Sequence, residues 1–331
     1  MKPQCPVCGG SFVPHMTMPV DAKTSRDIDY GDIFRCTGCR YGCILPRPTA
    51  DEIAGFYALD AYYTQGKSHF APGGEASLLD RLRVHLAWRV DKGREFSPDM
   101  LREHSGDRTL DICDIGCGGG DMAARFAAAG HRVVCVELDP AARAQARQKG
   151  LTVHEGGAEN LPEAARAHPF DVVIMSHVLE HTLEPVRALQ SVGSILRAGG
   201  LFVCLVPNNA SLGAEQASLA WEHLDVPRHL NFFDLHNLSL LVRASGFEVR
   251  KSFFNGYCRQ FDNALINTER RIGEFIARSK KLARPTVALN SRYRAWSLLL
   301  HSAWAQPERK YDSLGIIAQK GPEGSLFVTP C

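Results

Sequence analysis

The chain has 331 residues, of which 45% are hydrophobic and 22% charged, a balance typical of a globular protein with room for about two domains. The 38 Lys and Arg residues against 36 Asp and Glu residues give a formal net charge of +2, which argues against a protein that coats nucleic acid through bulk charge. No run approaches the roughly 18 apolar residues of a membrane span, and the N-terminus lacks the pattern of a secretory signal. The sequence therefore predicts a soluble, cytoplasmic protein.

The first zone, residues 1–48, is rich in Cys, Gly and Pro and contains two Cys-x₂-Cys pairs. Four thiolates at this spacing are the ligands of a tetrahedral structural zinc ion, although the two pairs are farther apart than in common zinc ribbons. A redox dithiol is the alternative, but the surrounding sequence lacks the βαβ pattern of that class. We predict a zinc-ribbon-like module whose ligands are Cys5, Cys8, Cys36 and Cys39.

The second zone, residues 49–105, is predicted to be helical and to form a linker and an active-site lid. Its clearest element is the run Leu78–Val90. Within that run Leu79, Leu82, Leu86 and Val90 recur at helical spacing, which predicts that they share the apolar face of an amphipathic helix.

The third zone, residues 106–331, alternates apolar β-type runs with helical runs, which predicts βαβ units around a parallel sheet. The apolar runs are nearly continuous, as expected of strands that are covered on both faces. A helical insert over residues 256–310 precedes the last predicted strand. The predicted strands are Leu110–Ile115, Arg132–Leu138, Leu151–His154, Phe170–Met175, Leu201–Val206, Glu248–Phe253 and Leu314–Gln319.

The strongest chemical signal is Asp114–Gly120, where a predicted strand runs into glycines and then into a helix. Such glycines let the backbone approach a ligand, and the helix start offers free N–H groups. Glu137 ends the next strand, where a carboxylate can accept hydrogen bonds from a ribose diol. The loop departs from the G-x-G-x-x-G dinucleotide fingerprint. Asp114 would repel a pyrophosphate and attract a cation, so S-adenosylmethionine is favoured over a nicotinamide dinucleotide.

Residues 109–254 resemble the class I S-adenosylmethionine-dependent methyltransferases in several motifs that occur in the family's order. Asp114–Gly120 is similar to the family's first motif, Glu137 to its ribose-binding acid and Gly157–Pro162 to the loop that lines the adenine. The resemblance implies a seven-stranded, Rossmann-like α/β core that follows the zinc-ribbon-like module. The cofactor-binding residues that it implies are Asp114, Gly116, Cys117, Gly118, Gly120, Glu137, Leu138, Ala158, Glu159 and Ser176.

Three histidines are candidates for a catalytic role. His177 and His181 form an H-x-x-E-H sequence, the inverted signature of zinc proteases, but the preceding buried strand and the family resemblance tell against a protease. His229 lies in a Pro-Arg-His-Leu segment after the fifth strand, where the family builds its substrate-facing wall. We predict a histidine base, with His229 first in order, and Arg228 available to an anionic group. The alternatives are that the histidines line the pocket wall or that His229 supports the following helix.

The two-part layout resembles bacterial small-molecule methyltransferases that carry a zinc-ribbon module, including enzymes that C-methylate nucleotide-linked deoxysugars. Those enzymes have a Glu-His pair where this chain has Arg228-His229, so sugar C-methylation is one case among several. The Tyr62-Tyr63 pair lies near where such enzymes bring a tyrosine over the active site, with ordinary aromatic packing as the alternative. The predicted acceptor is a sugar, natural-product or cell-envelope intermediate, either free or linked to a nucleotide or carrier.

Two other functions stay open at this point. Residues 259–310 contain 11 Lys and Arg against 4 Asp and Glu, a basic stripe that suits a ribosomal-RNA or other nucleic-acid methyltransferase, an anionic lipid surface or a homodimer interface. Against nucleic acid, Ser176-His177 stands where base-methylating relatives carry an Asn/Asp-Pro-Pro-aromatic motif. A scaffold that binds the cofactor without catalysis is the third hypothesis, and the intact loop with Asp114 and Glu137 argues against it.

Overall fold

A computed structural model of the chain describes residues 3–24, 26–57, 76–279 and 291–321. Its strands are β1 (Phe12–Thr17), β2 (Val20–Asp21), β3 (Arg26–Asp27), β4 (Asp32–Cys36), β5 (Gly42–Ile44), β6 (Asp111–Ile115), β7 (Arg132–Glu137), β8 (Thr152–Glu155), β9 (Phe170–Ser176), β10 (Leu196–Pro207), β11 (Asn231–Phe232), β12 (Phe247–Asn255) and β13 (Ser313–Lys320). Its α-helices are α1 (Ala50–Phe56), α2 (Leu78–Val90), α3 (Pro98–Ser105), α4 (Asp121–Ala128), α5 (Pro140–Gln148), α6 (Glu163–Arg166), α7 (Pro185–Ile195), α8 (Leu212–Ala217), α9 (Leu235–Ala244), α10 (Asn263–Arg278), α11 (Ser291–Ser302) and α12 (Pro307–Lys310). Short 3₁₀ turns occupy Leu179–His181, Ser218–Ala220, Glu222–Leu224 and Cys258–Phe261.

The central sheet has seven strands in the order β12-β13-β10-β9-β6-β7-β8. Neighbouring strands from β10 to β8 are parallel, and β13 runs antiparallel to both β10 and β12. The chain starts at β6, winds outward to β8 and then returns to β9 on the other side of β6. In doubly wound sheets, ligands bind at the carboxyl ends of the strands beside such a reversal. The predicted Rossmann-like, seven-stranded core is confirmed.

The predicted strands of the core are also confirmed, with small shifts at their ends. The largest shift is in β10, which begins at Leu196 rather than at Leu201. Leu196 already pairs with Phe170 of β9, and the register then shifts before Leu201 pairs with Val172. An irregular register of this kind leaves no periodic signal in the sequence, so the early start of β10 could not be predicted.

The cysteine-rich module shares a sheet with a distant part of the chain. Strands β1, β4, β5 and β11 form one four-stranded sheet, in which Asn231 and Phe232 pair antiparallel with Cys43 and Gly42. Strand β11 belongs to the segment between β10 and α9, the segment that was predicted to build the substrate-facing wall. The N-terminal module therefore supports that wall directly.

A second apolar core joins three regions that are far apart in sequence. Met18 and Val20 of the N-terminal module pack with Trp221 of the segment after β10 and with Ile272 and Ile276 of α10. The insert is helical, as predicted, and it lies against the wall segment. None of the helices within the described ranges is long and apolar enough to cross a membrane.

Helix α2 has the predicted ends, but the prediction of its apolar face was wrong for the three leucines, and of the predicted residues only Val90 packs against the core. Leu79, Leu82 and Leu86 are exposed, with relative accessibilities of 64%, 46% and 39%, whereas Asp80 and Arg83 are buried. The Arg83 guanidinium donates to Asp80 and to the backbone carbonyl of Phe261, just before α10. A buried ion pair thus decides which side of the helix faces inward, and hydrophobic spacing does not reveal it.

Candidate functional site

The carboxyl ends of the parallel strands bring the predicted cofactor-binding residues to one edge of the sheet. Asp114 lies in β6, Glu137 ends β7 and Ser176 ends β9. Strand β6 is hydrogen-bonded between β7 and β9, so the three side chains come from adjacent strands. The loop over residues 156–162 leaves β8 at the same edge. The sheet therefore collects at one place groups that are up to 62 positions apart, from Asp114 to Ser176.

The glycines after β6 hold the backbone close to its neighbours and leave open space in the middle of the loop. Gly116, Gly118 and Gly120 have φ angles of +70°, +54° and +80°, in the region that favours glycine. A Cβ on Gly116 would lie 2.4 Å from Val178, and one on Gly120 would lie 2.6 Å from Leu151. A Cβ on Gly118 would meet no atom within 4 Å, so the backbone borders open space there. The loop is shaped for the close approach of a ligand.

Two buried carboxyl groups flank this loop. Glu137 accepts hydrogen bonds from the backbone N–H groups of Gly118 at 2.8 Å and Asp139 at 2.9 Å, which fixes its orientation. Burial, together with the charge of Glu137, raises the pKa of Asp114 to about 7. A cation beside Asp114 would stabilise its ionised form. The arrangement fits a nucleoside with a positive charge, such as S-adenosylmethionine.

The other predicted cofactor residues lie around the same edge in different environments. Leu138 is exposed, Cys117 is half-buried and Ala158 is buried. Glu159 accepts a hydrogen bond from the backbone N–H of Glu184 at 2.6 Å, so it holds the start of α7. Their contact with a cofactor stays a prediction.

The segment between β10 and α9 places His229 against His181. The centroids of the two rings are 4.6 Å apart, with an angle of 71° between the ring planes. Nδ1 of His229 lies 2.8 Å from the carbonyl oxygen of His223, and Nδ1 of His181 lies 3.1 Å from that of Arg228. Because a carbonyl can only accept, the ring of His229 carries its proton on Nδ1 and its lone pair on Nε2. Burial lowers the pKa of both rings, that of His229 to about 3, so both are neutral near pH 7.

One form of the alternative, that His229 supports the following helix by capping it, does not agree with the structure. The N-cap of α9 is Asp234, whose side chain accepts from the N–H of Asn237. Asn237 in turn bonds the N–H of Asp234, which completes a capping box. His229 lies before this box and takes no part in it.

His177 stands apart from the histidine pair. It has a φ of +56° and precedes the 3₁₀ turn Leu179–His181, so the helix that a zinc-protease signature requires is not formed. Its Nδ1 lies 3.2 Å from Oε1 of the buried Glu180, whose Oε2 has no hydrogen-bond partner among the described residues.

Glu180, His181 and His229 each place one ligand atom within 4.8 Å of the others, a spacing that could hold a cation.

Arg228 is not available to an anionic ligand, so that prediction was wrong. Its guanidinium is buried and donates to both carboxylate oxygens of Asp21, at 2.6 Å and 2.9 Å. Its Nε donates to Asp225 at 2.8 Å. Asp21 lies 207 positions earlier in the chain, and no local pattern connects the two residues.

Tyr57 is a site residue that the sequence reasoning missed. Its hydroxyl lies 2.8 Å from Nδ1 of His181, and burial raises its pKa, so the hydroxyl stays protonated. The Tyr62-Tyr63 pair, which was considered for this position, lies outside the described residues. Tyr57 directly follows α1, and only its place in the zone predicted as an active-site lid could have drawn attention to it.

The four predicted metal ligands meet in the N-terminal module. The Sγ atoms of Cys5 and Cys39 are 3.6 Å apart, those of Cys8 and Cys36 are 3.4 Å apart, and all four lie within 4.8 Å of one another. Zn–S bonds of about 2.3 Å at tetrahedral angles place sulfur atoms roughly 3.8 Å apart. Burial raises the pKa of Cys36, but nearby N–H groups outweigh it and lower the pKa to about 7. The four thiol donors and the distances between their sulfur atoms fit a structural zinc ion.

Comparisons with known proteins point in the same direction. Residues 75–252, more than half of the 331 residues, match the family described as "Methyltransferase domain". The chain is 32% identical over 225 residues to the ubiquinone biosynthesis O-methyltransferase of Roseobacter denitrificans, a match that covers 63% of this chain and 88% of that protein. It is 33% identical over 217 residues to the enzyme of the same name from Ruegeria pomeroyi, with coverages of 61% and 84%.

Solved structures are similar at lower identity. An S-adenosylmethionine-dependent methyltransferase from Thermotoga maritima is 18% identical, with a TM-score of 0.42, and the match covers 72% of this chain and 92% of that chain. Magnesium protoporphyrin IX methyltransferase from Synechocystis PCC 6803, with bound S-adenosylhomocysteine, is 14% identical, with a TM-score of 0.44 and coverages of 75% and 90%. From its domain match and its curated relatives, the chain belongs to the class I S-adenosylmethionine-dependent methyltransferases.

Proposed function

We propose that the chain transfers the methyl group of S-adenosylmethionine to a hydroxyl oxygen of a small molecule, with His229 as the proton acceptor. The hydrogen bond from Nδ1 of His229 to the His223 carbonyl carries this proposal, because it leaves the ring lone pair on Nε2. When bound, S-adenosylmethionine supplies a methyl carbon on a sulfonium. The C–S bond breaks as the C–O bond forms, and the hydroxyl proton goes to His229.

The cofactor side holds the donor through the loop Asp114–Gly120 and the two flanking carboxyl groups. Glu137, whose oxygens are already oriented by backbone N–H groups, accepts the ribose hydroxyls. Asp114 would lie beside the positively charged end of the bound molecule and stabilise it. Because methyl transfer is an in-line displacement, holding donor and acceptor in fixed positions contributes much of the rate.

Two carboxylates near His229 partly offset the cost of a transient positive charge on its ring. Burial and the neighbouring His181 lower the pKa of His229, whereas the carboxylates of Asp225 and Glu180 favour its protonated form. A ring that is neutral at rest has its lone pair ready near pH 7. The two buried carboxylates then compensate the charge that develops as the proton arrives.

The weak basicity of His229 favours an acidic hydroxyl as the acceptor. A phenol, with a pKa near that of tyrosine at about 10, gives up its proton more readily than a sugar alcohol. The curated relatives are named as O-methyltransferases of ubiquinone biosynthesis, which supports oxygen methylation. We therefore place a phenolic small molecule ahead of the sugar and cell-envelope acceptors.

A nucleic-acid acceptor is less well supported, since five of the seven arginines of the insert that the structure describes are paired with carboxylates. Arg259 pairs with Asp312, and Arg294 pairs with Glu269. Further pairs join Arg270 to Glu274, Arg292 to Asp80 and Arg309 to Glu215. A surface that binds phosphates along a strand needs cations that are free to face the solvent.

We also propose that Cys5, Cys8, Cys36 and Cys39 hold one structural zinc ion. The module packs under β11, so the metal would keep the wall segment in place rather than take part in chemistry. A four-thiolate site leaves no open coordination position for a substrate, which supports a structural role.

The proposal is tested with purified protein, S-adenosylmethionine labelled in its methyl group, and three acceptors offered separately: a catechol-type phenol, a sugar alcohol and RNA. We expect the label on the phenolic oxygen, identified by mass spectrometry. Label on RNA or on the sugar would contradict the proposed acceptor class. Label on a carbon or nitrogen atom would contradict oxygen methylation.

A further inference from the structure

The acceptor side of the site is tied to the N-terminal module by buried charges. Asp21 ends β2, a strand that pairs with β3 in a short hairpin of that module. Its carboxylate is 4% exposed and accepts two hydrogen bonds from the guanidinium of Arg228. Burial raises the pKa of Asp21, but the bonds and charge of Arg228 outweigh it and hold the pKa below its usual range. Asp21 also accepts a hydrogen bond from the backbone N–H of Lys23 at 2.8 Å, so its carboxylate is held in one orientation toward Arg228.

The main chain of Arg228 connects this ion pair to both histidines. The carbonyl oxygen of Arg228 lies 3.1 Å from Nδ1 of His181, and His229 is the next residue along the chain. The backbone N–H groups of Arg228 and His229 both donate to the carbonyl of Asp225, at 2.9 Å each. A movement of the Arg228 backbone would therefore displace both rings.

The same hairpin supplies a second link. Lys23, two residues after Asp21, donates to the carboxylate of Asp225 at 2.7 Å. Asp225 also accepts from Nε of Arg228 at 2.8 Å. The four side chains carry two positive and two negative charges, so the network is neutral as it stands beside the neutral histidine pair.

We infer that Asp21 is a positioning residue for methyl transfer: from the N-terminal module, it fixes the backbone of Arg228 and thereby the orientation of His181 and His229. This inference rests on the proposed role of His229. A buried ion pair adds little net stability compared with an apolar contact of the same size, but a bidentate carboxylate–guanidinium pair sets direction as well as distance. Misplacing a reacting group by about 1 Å costs on the order of a hundredfold in rate.

The test replaces the carboxylate with the isosteric amide, Asp21→Asn, in the full chain. The matched control is Asp29→Asn, which removes an exposed carboxylate from the same module. We expect a 10- to 100-fold lower kcat for Asp21→Asn, an unchanged KM for S-adenosylmethionine, and wild-type kinetics for Asp29→Asn. Equal kinetics for all three proteins, or a change confined to KM, would overturn the inference.

A double-mutant comparison separates positioning from general damage. In a His229→Ala background, Asp21→Asn should have little further effect on kcat, because the proton acceptor that it helps to position is already absent. A full additional 10- to 100-fold loss in that background would mean that Asp21 acts by another route, and it would overturn the inference.

An NMR measurement tests the inference without requiring that the methyl acceptor is known. In protein with ¹⁵N-labelled histidine, Asp21→Asn should move the ring signals of His181 and His229, while the ring signal of the exposed His236 and the affinity for S-adenosylhomocysteine stay unchanged. Unmoved signals of the pair would refute the inference even if no phenol is methylated. Moved signals without methylation of any acceptor would support the positioning and leave the proposed function as the part that failed.

Discussion

The two sides of the proposed active site are built in different ways. The proposed cofactor side, which consists of Asp114–Gly120 and Glu137 with the strand ends around them, comes from consecutive βα units. The acceptor side, which consists of His181 and His229 with the groups that hold them, draws on residues from Asp21 to His229. The first is recognisable as a motif, whereas the second exists only after the N-terminal module, the wall segment and the insert have packed together.

This difference predicts whether a substitution on each side will change cofactor affinity or turnover. The cofactor side depends on backbone shape and on two carboxyl groups, so single substitutions there should act on affinity. The acceptor side depends on a network of buried polar groups, so substitutions there should act on turnover. The following experiments test that division, from the largest expected effect to the smallest.

Loss of the metal should have the largest effect if the N-terminal module supports the wall. Structural zinc sites contribute about 10 kcal/mol or more of apparent binding free energy near pH 7. We expect one zinc ion per chain in the parent protein, measured by mass spectrometry of the metal. Cys36→Ser should lose this zinc and have a lower melting temperature. Cys43→Ala is the control, because Cys43 is buried beside the site but lies outside the ligand set, and it should retain the zinc. Zinc retained by Cys36→Ser would contradict the assignment.

Removal of the proposed base should lower turnover strongly. General base catalysis contributes about 10² to 10⁴-fold, so His229→Ala should lose kcat within that range while its affinity for S-adenosylmethionine, measured by calorimetry, stays unchanged. His236→Ala removes an exposed histidine of α9 and serves as the control. If His229→Ala keeps wild-type kcat, or if its main defect is in cofactor affinity, the division between the two sides fails.

Glu137→Ala should act on the cofactor side alone. The loss of the ribose hydrogen bonds should weaken S-adenosylmethionine binding by about 1–3 kcal/mol. Glu155→Ala, at the end of β8, removes a carboxylate whose side chain is 73% exposed, and it should bind as the parent does. Calorimetry that gives equal dissociation constants for Glu137→Ala and the parent would remove Glu137 from the site.

The smallest predicted effect is a pH dependence of cofactor binding through Asp114. The pKa of its carboxyl is raised to about 7 in the unliganded protein, and a bound cation lowers it. Below about pH 7 a proton must leave on binding, so affinity falls as the pH drops, by up to about tenfold per unit, and is level above pH 7. Titrations at pH 8, 7 and 6 measure this slope.

Asp114→Asn is the control for the pH dependence. The amide cannot ionise, so this variant should bind more weakly at pH 8 and lose the slope. If Asp114→Asn keeps the parent's slope, another group is responsible for it.

Much of the fold and of the cofactor side could be read from the sequence, because the information is local. Continuous apolar runs predict buried parallel strands, and a strand that enters Asp114–Gly120 predicts both the turn and the ligand that it faces. The Cys-x₂-Cys pairs are local in the same way: each pair needs only a tight turn, and the fold needs only to bring the two turns together. These parts follow from backbone sterics and from the chemistry of neighbouring residues.

The tertiary structure alone decided the acceptor side. From the sequence, Arg228 was predicted to be available to a ligand. Only the folded structure shows that its guanidinium is hydrogen-bonded to the carboxylate of Asp21. Likewise, the leucines of α2 recur at helical spacing, yet they are exposed, and the face of the helix that carries Arg83 is buried instead. In both cases a buried guanidinium bonds a group far along the chain, 207 positions away for Arg228 and 178 for Arg83, and such a partner leaves no mark on the residues nearby.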